Sequence, residues 1–168
     1  MLIREMDVQE CRDLLARLGA GRLGCARNNQ PYVVPIYFAY EPERLYGFST
    51  LGQKIEWMRE NPLVCIEADE VHDHNEWASV IAFGRYEELP DEPRYAEERR
   101  QAQSVLEHRA MWWQTGYAAS QSRVEHKPAS PVFYCIHIAS ISGHRSTPDA
   151  IEAFALRKRL ATRDRSRS

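Results

Sequence analysis

Phe48-Ser49-Thr50-Leu51-Gly52-Gln53-Lys54-Ile55-Glu56-Trp57-Met58-Arg59-Glu60-Asn61-Pro62 is the stretch around which the rest of the chain orders itself. It reads as a strand end, a tight turn and an opening helix. That helix closes at Asn61, because the residue before a proline is pushed out of the helical region. Two hydroxyls (Ser49, Thr50), a glycine that lets backbone approach closely (Gly52) and Lys54 stand where the helix begins. Free N–H groups and the positive end of the helix dipole would there meet an anion, and Lys54 adds a point charge to them. This is phosphate-binding architecture. Its bland counterpart is a polar turn with a solvated lysine, and short motifs of this kind are common enough that the surrounding chain must decide.

Upstream, Asp7-Val8-Gln9-Glu10 has the form of a capping box and precedes apolar positions Cys11, Leu14, Leu15 and Leu18. A helix is expected over residues 8–18, stopped by Gly19-Ala20-Gly21. A short strand at 22–26 leads through Arg27-Asn28-Asn29-Gln30 into a second strand at 31–40, β-branched and aromatic. Pro35 inside it cannot donate a ladder hydrogen bond, which implies an edge, a bulge or a ligand alongside. Glu41-Pro42-Glu43-Arg44 turns the chain into a third strand at 45–50. Downstream, 63–68 is a fourth strand and 77–89 a fifth, long enough to bend at Gly84. Between them the His72 to Glu76 segment reads as an exposed loop. Pro90-Asp91-Glu92-Pro93 precedes a charged helix to about His108. From 109 to 130 periodicity is lost, although Trp112, Trp113 and Tyr117 give the segment a large apolar mass that has to pack on something. A last long strand spans 131–143, and Ser146-Thr147-Pro148-Asp149 would start a short helix to about Leu156.

Six or so strands at short intervals, with hairpin turns and little helix between them, argue for a mainly β fold: a closed or nearly closed antiparallel barrel with peripheral helices. Its 168 residues fit a single domain, expected over 1–156, with the basic stretch 157–168 as a solvated tail. A formal net charge of -2 gives no whole-molecule reason to expect nucleic acid or an anionic membrane as partner. No apolar run approaches the ~20 residues that cross a bilayer, and the N-terminus lacks a signal pattern, so the expectation is cytoplasmic. The four cysteines are scattered and read as small buried apolar residues; His72 and His74 lack further ligands at metal spacing, so no metal is expected.

In this order and spacing the motifs are identified as those of the FMN-binding split-barrel superfamily, the fold of pyridoxamine 5'-phosphate oxidase, and most resemble its nitroimidazole-resistance-protein branch. The carriers are Gly21-Arg22-Leu23-Gly24, Pro31-Tyr32-Val33-Val34-Pro35-Ile36, Phe48-Ser49-Thr50 with Gly52 and Lys54, Arg59-Glu60-Asn61-Pro62 with Val64, Ser79-Val80 with Gly84, and Ile141-Ser142-Gly143-His144. The resemblance implies a split β-barrel and a homodimer with two flavin sites at the subunit interface. The FMN phosphate would lie at Ser49, Thr50, Gln53 and Lys54, beside Phe48 and Gly52. The isoalloxazine edge would run along Tyr32, Val33, Val34, Pro35 and Ile36, with its polar rim at Ser79 between Trp77 and Val80. Trp113 would be a partner-side wall.

Two departures from the pattern matter. The tryptophan and arginine-rich motif near the C-terminus of the vitamin B6 oxidases is missing, which argues against that substrate. One of the two adjacent basic residues at the family's phosphate turn stands here as Gln53, leaving Arg22, Arg59 or a partner arginine to supply a second cation. The expected function is an FMN-dependent oxidoreductase acting on a small flat or nitro-aromatic acceptor. The alternative is a non-catalytic flavin- or haem-binding protein built on the same barrel.

Overall fold

The computed structural model describes residues 1–109 and 131–148. The chain begins with a short strand, β1 (Leu2–Glu5), and a helix, α1 (Val8–Leu18), whose capping box forms on both sides: Asp7 accepts from the Glu10 amide while Glu10 accepts from the Asp7 amide. Gly19 closes α1 in the left-handed region at φ 65°. β2 (Ala20–Arg27) and β3 (Gln30–Tyr37) form a hairpin around Asn28 and Asn29, at φ 50° and 61°. Two consecutive positive-φ residues make the mirror-image turn that matches strand twist, and asparagine tolerates it.

β4 (Ala39–Glu41) and β5 (Arg44–Ser49) form the next hairpin, followed by α2 (Gln53–Glu60). The long β6 (Leu63–Asp73) and β7 (Glu76–Leu89) come next. A 3-10 turn at Pro93–Tyr95 then leads into α3 (Ala96–Glu107). β8 (Val132–Thr147) completes the sheet.

The eight strands form one antiparallel sheet, seven of them in the order β3-β2-β6-β7-β8-β5-β4 and β1 paired to β8 off that path. β8 is the spine: β7 follows its whole length, β5 takes its first half (Ser49↔Val132 to Arg44↔His137), and β1 takes its last four residues (Glu5↔His144 to Leu2↔Thr147). The register shifts between Phe83↔Ser140 and Gly84↔Ile138, so the extra residue, Ala139, stands on β8 opposite Gly84, where the sequence had suggested a bulge in β7 itself. The strands at the two ends of this order, β3 and β4, are separated in sequence by Phe38 alone, whose amide donates to the Gly19 carbonyl at 2.9 Å. The sheet therefore curls back on itself and stays open along that seam, with β3 approaching β5 without a ladder. This is a split barrel.

The interior is filled from all sides by Leu14 and Leu15 of α1, Leu23, Ile36, Phe38, Leu45, Ile66, Val80, Tyr134 and Ile136 of the sheet region, and Ile55 and Met58 of α2. A second cluster, with Tyr46, Phe48, Leu89, Phe133 and Cys135, is covered by Ala102 and Leu106 of α3.

Three expectations about elements change, and one strand, β1, was not foreseen. β1 is exposed along its length, so it carries no apolar period to read, and it exists because β8 offers it a ladder. The strand expected over 31–40 breaks at Phe38, where the chain crosses from one end of the sheet to the other. The His72 segment is no loop: β6 runs to Asp73, and only His74 and Asn75 form the turn. Ser146 and Thr147 continue β8 where a helix start was expected, because Ser146 is buried and donates to the Asn75 carbonyl at 3.0 Å. Trp112, Trp113, Tyr117, the helix expected to Leu156 and the tail 157–168 lie outside the described residues.

Candidate functional site: a phosphate turn and the outer face of the barrel

β5 delivers Phe48 and Ser49 into the core at 8 % exposure each, and the chain then emerges abruptly at Thr50. Phe48 packs on Phe133 with ring centroids 5.1 Å apart, and the Ser49 hydroxyl donates to the Thr50 carbonyl at 2.9 Å. Gly52 caps α2 through its backbone only: its carbonyl accepts from the Ile55 and Glu56 amides at 2.9 and 3.1 Å. Its backbone is fully extended, so any residue could adopt that conformation. What distinguishes it is space, since a Cβ there would meet nothing within 4 Å. The amides of Gln53 and Lys54 precede the first intrahelical bonds and belong to the free set at a helix start.

Lys54 is half-buried and forms no ion pair with the described residues, and burial lowers its ammonium below the ordinary 10.5. A desolvated cation with no counter-charge is costly, and it is the arrangement that an arriving anion would relieve. The arginines that could have supplied a second cation are engaged. Arg59 donates through Nε and Nη2 to both Glu88 oxygens at 2.7 Å each, and Arg22 pairs with Glu67 at 2.8 Å and with Asp69.

α2 also links the turn to β3. Trp57, one helical turn beyond Lys54, meets Tyr32 with centroids 5.3 Å apart, and the Arg27 guanidinium lies 5.5 Å from the Trp57 ring. Asn61 then fastens the end of α2 by donating to the Ala26 carbonyl at 2.9 Å. Because β3 is an edge strand, Pro31 and Pro35 are accommodated with their nitrogens turned away from β2, and the Val33 amide, of the same parity, faces the open edge with them.

The side chains of β3 divide. Val33 and Pro35 face outward, Tyr32 and Val34 pack partly into the core, and Ile36 is buried. Val80 is likewise fully buried, so any ligand contact by Ile36 or Val80 runs through the backbone. Ser79 faces outward and donates to Glu67 Oε1 at 3.1 Å, joining the row Pro35, Arg22, Glu67 that crosses from β3 to β6. Trp77 lies further along β7, in a hollow of about 130 Å³ with Glu70, Arg145 and Thr147. Trp113 lies outside the described residues.

One feature of this face went unread in the sequence. Beside the polar row, Pro31, Val33, Leu63, Cys65 and Phe83 line an open apolar depression of about 350 Å³. Val33, Leu63 and Phe83 are 62, 64 and 52 % exposed. The available signal was the run Ser79-Val80-Ile81-Ala82-Phe83, apolar on both strand faces where a sheet with one solvated face would alternate.

An open antiparallel split barrel of this topology defines the flavin-binding split-barrel class of folds. Residues 7–145 match the pyridoxamine 5'-phosphate oxidase family profile, and the chain belongs to that family of pyridoxamine 5'-phosphate oxidase-like proteins. Uncharacterized protein RA0666 of Rhizobium meliloti (strain 1021) is 38% identical over 143 residues, which is 85% of this chain and 95% of that protein. A FAD-binding protein (mll6688) of Mesorhizobium loti is 41% identical, with a TM-score of 0.71 over 88% of this chain and 99% of that one. A FAD-binding protein of Mycobacterium smegmatis, 23% identical, has the same fold at a TM-score of 0.60, over 84% of this chain and 98% of that one.

Proposed function

We propose that this chain is an FMN-dependent oxidoreductase that passes electrons from a reduced donor to a small flat or nitro-aromatic acceptor. The observation that carries this reading is Lys54: a half-buried cation without a carboxylate partner among the described residues, beside the open space at Gly52 and the free amides of a helix start. A terminal phosphate supplies the missing charge. The fit to a flavin extends along β3, whose open edge offers the Val33 amide to a polar ring rim, while Ser79 offers a hydroxyl at the far end of the Arg22 and Glu67 row.

When bound, the flavin supplies the hydride and electron transfer. The residues of this chain anchor and orient it. Ser49, Thr50, Gln53 and Lys54 hold the phosphate, the backbone of Tyr32 to Ile36 fixes the ring edge, and Ser79 steers charge on the rim. Arg22 is held by Glu67 and Asp69 and so keeps that end of the site from being purely anionic. The apolar depression at Val33, Leu63 and Phe83 is the surface on which a second copy would pack, bringing two sites to one interface. Burying it removes apolar surface from water, which is the dominant favourable term in association. Since the Mesorhizobium loti relative is described as FAD-binding, FAD is the competing ligand, and it shares the ring and a phosphate.

The test is the visible spectrum of the purified chain after FMN is added and the excess removed, followed by denaturation and identification of the released chromophore. Retained flavin bands that release FMN support the reading; released FAD changes the cofactor and keeps the site. A colourless protein that retains neither overturns it. Bound flavin that bleaches anaerobically with a nicotinamide donor and recovers its colour on adding a nitro-aromatic compound establishes the oxidoreductase. Stoichiometric flavin that does neither makes the protein a carrier.

A further inference from the structure

On the side of the barrel covered by α3, we propose that Glu98, Cys135 and His137 form a binding site for a divalent transition metal of the zinc type. Cys135 and His137 are two residues apart on β8 and therefore share one face of the sheet. Glu98 reaches them from α3, which packs over that face through Ala102 and Leu106. One donor atom from each of the three lies within 4.8 Å of the other two, and this is the one such group among the described residues. Donor atoms around tetrahedral zinc sit roughly 3.3–3.6 Å apart, as bonds of about 2.0–2.3 Å require. Movements of about 1 Å close the set, and the partly exposed Glu98 and His137 side chains have the room to make them.

The surroundings fit a cation. Glu87, paired with Cys135 across the β7–β8 ladder, has Oε2 2.7 Å from His137 Nε2. A carboxylate in that position orients the imidazole, as the carboxylates behind most metal-bound histidines do. The Cys135 thiol is fully buried, and around it Glu41 adds a third carboxylate to Glu98 and Glu87, against the single Arg44 guanidinium. Arg44 holds Glu98 and the Tyr46 hydroxyl only at 3.3 Å each, a loose contact that a metal would displace. Among the described residues Cys135 is the cysteine that groups with a histidine and a carboxylate; Cys11 and Cys25 lie in the larger apolar cluster, and Cys65 opens onto the apolar depression. A thiol, an imidazole and a carboxylate make a borderline-soft donor set suited to zinc, with the fourth position open to water, and binding would release the thiol proton to solvent. Such an ion would tie α3 to β8. This proposal is independent of the flavin reading.

The experiment is a titration of the full-length protein with Co2+, followed by displacement with Zn2+. Uptake of one equivalent is expected, with an intense thiolate-to-cobalt charge-transfer band in the near ultraviolet that zinc abolishes. Cys135→Ser should remove the band. His137→Ala, at a half-exposed position where folding is readily checked by circular dichroism, should weaken Co2+ binding about tenfold or more, and Glu87→Gln roughly 10- to 100-fold. Arg44→Gln should tighten it roughly two- to fivefold by removing the competing cation, the range expected of a partly exposed ion pair. A wild-type protein that takes up no Co2+, or a charge-transfer band of unchanged affinity in folded His137→Ala, overturns the site.

Discussion

Lys54 and its neighbour Gly52 separate function from stability at single positions. Because burial of the Lys54 ammonium is uncompensated in the free chain, Lys54→Met should leave the melting temperature unchanged or raise it. The same change should weaken flavin binding by roughly 10- to 100-fold, the value of a hydrogen bond to a charged group. Flavin titration and thermal melts on the same variant check both halves. The glycines offer a matched pair. A Cβ at Gly47 would lie 2.2 to 2.5 Å from the buried Tyr134 ring and hydroxyl, so Gly47→Ala should destabilise the fold by roughly 1–3 kcal/mol. At Gly52 nothing lies within 4 Å, so Gly52→Ala should fold normally and lower only flavin affinity, by filling space the phosphate would use. Chemical denaturation of the two variants, with flavin titration of the second, distinguishes them. The residue types at 49–54 read in the sequence as a candidate anion site. That Arg22 and Arg59 are engaged elsewhere was not legible there, since their partners are 45 and 29 residues distant along the chain.

At the scale of elements, α2 is held against the sheet by a polar clamp as well as by Ile55 and Met58. Arg59 grips Glu88 on β7 with both oxygens, and the Tyr86 hydroxyl donates to the same carboxylate at 3.0 Å. The Arg59 hydrogen bonds hold the Glu88 carboxyl below its ordinary 4.5. A carboxyl depressed in the folded state contributes stability that is complete above its unfolded value and is lost as pH falls through the folded one. Glu88→Gln should therefore flatten the loss of stability on acidification below about pH 4.5, and at neutral pH it should cost ~1 kcal/mol, since Arg59 is itself 46% exposed. Urea melts at neutral and acid pH read both. α1 and α2 were recovered from sequence with their ends, because capping box, glycine stop and proline stop are local signals. β1 and the extensions of β6 and β8 were not, because those residues become strand only when a neighbour supplies hydrogen bonds.

For the whole molecule, the proposed dimer rests on the outer face. Phe83→Arg places a charge in the depression shared with Val33 and Leu63, 52 % exposed and outside the core, so the monomer should stay folded. Light scattering should show the wild type as a dimer and the variant as a monomer, and flavin should be lost with the dimer if the interface completes the site; a variant that remains dimeric removes this face from the assembly. Sequence alone determined the all-antiparallel class and the first two helices, because each is written in local periodicity, capping and turn preferences. Only the tertiary structure decided which cations remain free, which faces of β3 and β7 are presented outward, and that Cys135, His137 and Glu98 share one corner of the fold. Those properties depend on ladder register and on contacts between residues far apart in the chain, and local preferences do not encode either.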